Sequence, residues 1–333
     1  MTSCKTNEIY QAEYSLPDRP FIGVLDSGVG GLSVQARFLE SIPQEDYVYV
    51  GDSCHAPYGD RSPAELFELS GSISLWLKDK GAKAIALACN TISSTLITEI
   101  RSLLAPLPVY SILEAGVTAA VKYTKTNKIG IIATAATTKS RTFEKGIKKY
   151  LPDAKIISVA CPAFVPLVEK GLVSSPAATR AVKEICSLFS DKDIDTLLLG
   201  CTHYPALIPL LRKYLPDYIE IVDPAAHYAG TVAADLEQMH NLPEKLPGGN
   251  LSSQDLHVLD PHSEILTHGN TDKHEIGKMI LLTTGDPIQF KESGVSLFGR
   301  VPEPVFILDN AELKTFSPLN TVHGRALAEQ IAK

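Results

Sequence analysis

The sequence predicts an α/β protein built of two similar, doubly wound parallel-sheet domains related by pseudo-two-fold symmetry, with the active site in the cleft between them. Three observations carry this expectation. Short apolar runs suited to buried strands alternate with longer amphipathic runs suited to helices, the pattern of a parallel sheet covered by helices. A cysteine stands at a strand-to-helix turn twice, in Leu87-Ala88-Cys89-Asn90-Thr91 and in Leu199-Gly200-Cys201-Thr202-His203. The chain also matches itself. Ile22-Gly23-Val24-Leu25-Asp26-Ser27 aligns with Ile129-Gly130-Ile131-Ile132-Ala133-Thr134, Cys89-Asn90-Thr91 with Cys201-Thr202-His203, and Ile112-Leu113-Glu114-Ala115 with Ile221-Val222-Asp223-Pro224. The three matches fall in order at nearly one offset, far longer than the period of a solenoid repeat.

A chain of 333 residues has room for about two domains at ~150 residues each. A net charge of −7 gives no sign of the basic surface that nucleic-acid binding requires. No run approaches the ~18 apolar residues of a membrane span. Residues 1–20 are polar, lack a signal-peptide core and read as an N-terminal tail, so a cytoplasmic location is expected. The six cysteines, Cys4, Cys54, Cys89, Cys161, Cys186 and Cys201, are scattered without paired spacing, which argues against a disulfide framework. Cys54-His55 and the loose set His257, His262, His268 and His274 are too irregular for zinc, and no metal is expected.

Taken in order, residues 21–25 form a strand that runs into Asp26-Ser27-Gly28-Val29-Gly30-Gly31 and then an amphipathic segment over 32–39. The glycines allow a tight turn and close approach of backbone N–H groups to an anion. Ser33 stands where the dinucleotide fingerprint needs its third glycine, and no Walker lysine follows. The competing reading of Asp26 is a helix N-cap. Residues 47–50 form a second strand, followed by the turn-rich loop from Gly51 and Asp52 to Pro57-Tyr58-Gly59. Ser62-Pro63-Ala64-Glu65 reads as a helix start with a capping box. Residues 84–88 form a third strand ending at Cys89.

A thiol at a helix N-terminus has a stabilised thiolate, whereas a free cysteine is otherwise a small buried hydrophobe. Its occurrence twice, on two matching halves, favours chemistry. In open α/β sheets, ligands sit beyond the carboxyl ends of the strands, where Asp26, Asp52 and Cys89 all fall. Two halves packed face to face would bring the thiols to opposite sides of one small molecule, the arrangement that inversion of a stereocentre requires. Cys161, before a proline, reads as structural, and Cys186 as core. Residues 241–275 read as a long insertion, 279–282 as a strand, 288–297 as a helix, and 301–333 as a C-terminal tail with a short helix over 325–331. The expected domains are 21–113 with 224–300, discontinuous, and 114–223.

The ordered set Gly23-Val24-Leu25-Asp26-Ser27-Gly28-Val29-Gly30-Gly31-Leu32, Gly51-Asp52-Ser53 with Pro57-Tyr58-Gly59, Ala88-Cys89-Asn90-Thr91, Ala133-Thr134 with Thr137, Phe164-Val165-Pro166-Leu167-Val168-Glu169, Gly200-Cys201-Thr202-His203-Tyr204-Pro205 and Thr284-Gly285-Asp286 resembles the glutamate racemases of the aspartate/glutamate racemase superfamily. The resemblance implies interconversion of L- and D-glutamate without pyridoxal phosphate or other cofactor, supplying D-glutamate for peptidoglycan, in an enzyme expected to be a homodimer. It assigns removal of the α-proton of D-glutamate to Cys89 and of L-glutamate to Cys201. Asp26 is carried over as the partner of Cys89 and His203 as that of Cys201, with Asp52 and Glu169 assisting. Asp26, Ser27, Pro57, Tyr58, Gly59, Asn90, Thr91, Thr134, Thr137, Thr202 and His203 are carried over as substrate contacts. The chain departs from the family pattern at Cys54-His55-Ala56 and at Pro224, where serine is common. The alternatives are a relative acting on another acidic substrate such as aspartate, a decarboxylase of similar fold, and a non-catalytic amino-acid-binding regulator. Retention of both thiols and their partners argues against each.

Overall fold

The computed structural model describes residues 14–241, 276–298, 301–302 and 304–332. The 241–275 segment read as an insertion lies almost wholly outside the described residues, as does most of the N-terminal tail. The first half opens with β1 (Phe21–Asp26), α1 (Leu32–Ser41), β2 (Tyr47–Gly51), α2 (Pro63–Asp79), β3 (Ala82–Leu87), α3 (Asn90–Leu104) and β4 (Val109–Ser111). The second follows with α4 (Ile112–Tyr123), β5 (Lys128–Ala133), α5 (Ala135–Ser140), α6 (Thr142–Tyr150), β6 (Lys155–Ala160), α7 (Phe164–Glu169), α8 (Pro176–Ser187), β7 (Thr196–Gly200), α9 (Ile208–Tyr214) and β8 (Glu220–Val222). The chain then returns through α10 (Pro224–Asn241), β9 (Met279–Thr283), α11 (Pro287–Phe298), β10 (Val305–Ile307), α12 (Asn310–Thr315) and α13 (Val322–Ile331).

Among the described residues two sheets result, with strand orders β10-β9-β2-β1-β3-β4 and β6-β5-β7-β8, and their pairings are parallel. The order β2-β1-β3-β4 recurs as β6-β5-β7-β8, so the internal match in the sequence is a match of winding. Successive side chains of a strand point to opposite faces. Phe21 and Leu25 therefore join the core shared with α2 and α3, while Ile22 and Val24 join the core shared with α1 and α10. The same division sends Ile132, Leu197 and Leu199 toward α7, α8 and α9, and Ile129, Ile131 and Leu198 toward α4 and α6. Burial on both faces is why these strands read as continuous apolar runs.

Local signals set the helix ends. Ser62 accepts from the Glu65 N–H and Glu65 reaches back to the Ser62 N–H, completing the expected capping box with Pro63 at the first helical position. Thr134, Ser175 and Thr321 cap α5, α8 and α13 in the same way through their hydroxyls.

The structure corrects two expectations. Residues 301–333 are more than a tail. β10 is the edge strand of the first sheet, and Trp76 Nε1 in α2 donates to Glu312 Oε1 in α12 at 2.8 Å. Its three strand residues were too short to show a period of two. Second, Cys201 does not open an α-helix. A 3₁₀ turn over Tyr204–Leu207 precedes α9, because Pro205 and Pro209 have no N–H to offer an α-helical ladder. The two thiol turns are therefore not equivalent: Cys89 is the N-cap residue of the fifteen-residue α3, and Cys201 has no comparable helix dipole.

Candidate active site

Asp26 ends β1, Gly51 ends β2, Cys89 follows β3, Thr134 follows β5, Cys161 follows β6 and Cys201 follows β7. All stand at carboxyl ends of strands, where a parallel sheet stops pairing and leaves backbone N–H groups and side chains to face a ligand. The carboxyl edges of the two sheets share one cleft, to which the first half brings Cys89 and the second Cys201. Both thiols are free and buried.

Each thiol has its own acid–base neighbour. Beside Cys89, Asp26 is wholly buried. Its Oδ1 accepts from the Gly28 N–H at 3.0 Å, and its Oδ2 accepts from the Thr202 hydroxyl of the other half at 3.2 Å. Burial pushes the Asp26 carboxyl above its ordinary value, with the positive His203 and these hydrogen bonds acting against the shift. Burial also pushes the Cys89 thiol up to about 12, and the Asp26 charge adds to it, only partly offset by the Ile92 N–H and Ser27. Burial and the Asp26 charge thus favour the protonated thiol at Cys89.

On the other side, Cys201 Sγ lies 3.7 Å from His203 Nδ1, and His203 Nε2 lies 2.5 Å from Glu169 Oε1. Burial opposes a charged imidazole, but the hydrogen bonds and charges of Cys201 and Glu169 outweigh it and hold the His203 pKa well above the usual histidine value. Cys201, His203 and Glu169 are thus joined in one line of contacts. Ser293 Oγ of α11 donates to the Glu169 carbonyl at 3.0 Å, tying the far end of that line to the first half.

The remaining candidates divide into those on the cleft wall and those behind it. Ser27, Asn90, Thr91 and Thr202 line the cleft, as do Thr134 and the Pro57-Tyr58-Gly59 loop. The buried Asn90 amide has neither its Oδ1 nor its Nδ2 bonded, an arrangement that leaves two polar atoms for a ligand. Asp26, Asp52, Glu169 and Thr137 are not on the wall. Asp52 instead accepts from Tyr58 Oη at 2.5 Å, from His55 Nδ1 at 2.8 Å and from Thr284 Oγ1 at 2.5 Å. It holds the wall residue Tyr58 in place. His55, at the position that departs from the family pattern, therefore acts on Asp52 and not on the cleft.

Two features of the site were not read from the sequence. Cys161 lines the cleft as well as packing into the second core, and its place at the end of β6, equivalent to the end of β2, was the available signal. Tyr49 Oη donates to the Gly28 carbonyl at 2.7 Å and pins the glycine turn from below, a contact made across the sheet that no spacing reveals. Cys161 and Cys186, like Cys89 and Cys201, are free and buried. Among the described residues, no group of three or more His, Cys, Asp or Glu could hold a metal ion, and no helix is long and apolar enough to cross a membrane.

The glycine turn is tight for a reason visible in the site. A Cβ on Gly30 would lie 2.5 Å from His203 Nδ1 and 2.7 Å from Thr202 Oγ1, and one on Gly28 would lie 2.6 Å from Glu169 Oε1. Gly30→Ala should therefore fold but displace His203 from Cys201, with kcat/KM falling ~10²-fold, the cost of about an ångström of misplacement. Steady-state kinetics together with an unchanged far-ultraviolet circular dichroism spectrum would check this.

Two parallel-sheet halves thus bring one buried thiol each to a shared cleft, and each thiol has its own acid–base neighbour. Residues 34–231 match the family described as Asp/Glu/Hydantoin racemase. The chain is 37% identical over 294 residues to glutamate racemase 2 of Caldanaerobacter subterraneus subsp. tengcongensis, covering 88% of this chain and 98% of that one. It is 34% identical to the glutamate racemase of Trichormus variabilis, covering 86% and 87%. Among solved structures it is similar to glutamate racemase isoform RacE1 from Bacillus anthracis, with a TM-score of 0.74, 30% identity and coverage of 88% and 99%. The Francisella tularensis glutamate racemase in complex with D-glutamate gives 0.72, 29%, 88% and 98%. The chain belongs to the Asp/Glu/hydantoin racemase family, and it is an amino-acid racemase, an isomerase.

Proposed function

We propose that the protein interconverts L- and D-glutamate by passing the α-proton between Cys201 and Cys89, with no cofactor. The observation that carries this is the placement of two buried free thiols, one from each half, on one cleft with distinct acid–base partners. Glutamate as the substrate is supported by the relatives of high coverage, which are glutamate racemases, one of them solved with D-glutamate. The family resemblance extends the reading to supply of D-glutamate for peptidoglycan by a cytoplasmic homodimer.

In the reaction, Cys201 with the imidazolium of His203 beside it takes the α-proton of L-glutamate. Cys89, held as a thiol by burial and by Asp26, delivers its proton to the opposite face. The return path reverses both roles. The carbanion has no conjugated electron sink, so the backbone N–H groups and the Asn90 amide at the cleft must stabilise the carboxylate as charge grows on it. Asp26, positioned by Gly28 and Thr202, serves Cys89, and Glu169 holds His203 beside Cys201. Asp52 acts by holding Tyr58.

Incubating the purified protein with L-glutamate in D₂O tests the reading. Decay of the circular dichroism signal to zero, with deuterium entering at Cα, is expected. Folded protein that leaves both enantiomers unchanged in signal and in isotope would overturn it.

A further inference from the structure

Glu169 belongs to the second half, yet residues of the first half meet both of its ends. It is the last residue of α7. Beyond it, Gly171 takes a φ of +66°. The Gly171 N–H donates to the Val168 carbonyl at 2.9 Å, and the Leu172 N–H donates to the Leu167 carbonyl at 2.8 Å. This paired closure over a left-handed glycine satisfies two of the terminal carbonyls of the helix and leaves that of Glu169 outside it. The Glu169 carbonyl accepts from Ser293 Oγ of α11 at 3.0 Å. At the other end, the carboxylate lies against the glycine turn after β1, where a Cβ on Gly28 would stand 2.6 Å from Oε1. The helix that carries Ser293 bridges the halves: Leu297, one turn further on, packs against a core of each.

The carboxylate depends on such support. The Glu169 side chain is 23% exposed whereas that of His203 is 3% exposed, so water competes for the carboxylate but hardly for the imidazole. A long glutamate side chain also gives up rotamer freedom when it is fixed. Whether Oε1 reaches His203 Nε2 is therefore decided by where the Glu169 backbone stands. The titratable groups facing His203 are Cys201 on its own turn, Glu169 of α7 and Asp26 of β1. Cys201 takes Nδ1, and Glu169 takes Nε2.

We infer that Ser293 is a positioning residue: by holding the Glu169 backbone from the first half, it keeps the carboxylate on His203 Nε2 and the imidazole in place beside Cys201. The inference rests on the glutamate reading above for its substrate. Its effect falls on one face of that substrate. Asp26 is held by Gly28, Gly31 and Thr202, and Cys89 by the Ile92 N–H and Ser27. None of these residues stands in α7 or α11.

Ser293→Ala should lower kcat/KM for L- and D-glutamate about five-fold, the scale of one net hydrogen bond. Single-thiol backgrounds separate the faces. Added to Cys89→Ala, Ser293→Ala should slow the entry of deuterium into L-glutamate by about the same five-fold. Added to Cys201→Ala, it should leave entry into D-glutamate within about two-fold of that background. Ser293→Thr, which keeps the hydroxyl, should recover the parent rate to within about two-fold. The His203 imidazole, followed by NMR without substrate and assigned by its absence in His203→Asn, should titrate at lower pH in Ser293→Ala and return in Ser293→Thr. That measurement needs no turnover, so it decides the matter even where a single-thiol variant does not exchange. Ser293→Cys, a weaker donor, takes the place of the alanine variant if a thermal melt shows that one unfolded. Equal slowing on both faces, an unmoved His203 titration, or a loss that Ser293→Thr does not reverse would each overturn the inference. A parent protein that leaves glutamate unchanged while the His203 titration moves as expected would defeat the substrate reading and leave the positioning role standing.

Discussion

Removing either thiol should abolish racemisation while leaving half of the chemistry intact. In Cys89→Ala, Cys201 and His203 remain at 3.7 Å, so the base for L-glutamate survives but nothing on the opposite face can return a proton. In Cys201→Ala the reverse holds. Racemisation should fall by ~10⁴-fold in each, the upper end of what a positioned general acid or base supplies. In D₂O, Cys89→Ala should place deuterium at Cα of L-glutamate with retention of configuration and leave D-glutamate untouched. Cys201→Ala should label only D-glutamate. Proton NMR of the Cα–H signal, with chiral chromatography of the product, reads both quantities. Labelling of the opposite enantiomer in each variant would reverse the assignment of faces, and near-parent racemisation in either would end the two-thiol scheme. Cavity effects are small by comparison: each variant deletes only one sulfur from a site already open to a cleft.

The second large effect is expected at His203. His203→Asn removes the cation that lies beside Cys201 and Glu169, and kcat/KM should drop by ~10²-fold. L- and D-glutamate have equal free energies, so kcat/KM must be the same in both directions at every pH, in the parent and in every variant. The asymmetry between a thiol held at about 12 and one served by an imidazolium can therefore appear only in kcat and KM taken separately. His203 also predicts a pH dependence of stability. Its folded pKa lies above the unfolded value of ~6.5, so the stabilisation from its proton is complete below ~6.5 and is lost as pH rises through the folded value. Thermal midpoints should accordingly decline from neutral toward alkaline pH in the parent, and the decline should flatten in His203→Asn. A variant with the parent's slope would show that another group carries the linkage.

Much of the site was legible before the fold was known, because its parts are local. Asp26-Ser27-Gly28, Cys89-Asn90-Thr91 and Cys201-Thr202-His203 each lie at the end of an apolar run, and strand-end placement follows from the run and the turn residues alone. The repeated thiol turn made a cleft between two halves the economical reading, and the recurrence of one strand order in both sheets agrees with it. What failed was equally physical. Treating Cys201 as the start of a helix ignored Pro205 and Pro209, and so credited that thiol with a helix dipole it lacks. Reading 301–333 as a tail failed because a three-residue edge strand carries too few positions to show a period.

Sequence alone determined which residues sit at strand ends, that two thiols recur on matched halves, and which residue types stand beside them. Only the tertiary structure decided how those groups are shared out. It set Asp52 behind Tyr58 and away from the cleft, paired His203 with Glu169 thirty-four positions away, and carried the Thr202 hydroxyl across to Asp26 over 176 positions. It also brought Cys161 onto the cleft wall and joined Ser94 to Thr137 between the halves. The physical reason is one of range. Strand, turn and cap preferences act over a few neighbouring residues, whereas the protonation of a buried thiol depends on charges and hydrogen bonds that arrive from other strands, and their distances exist only once the two sheets have packed.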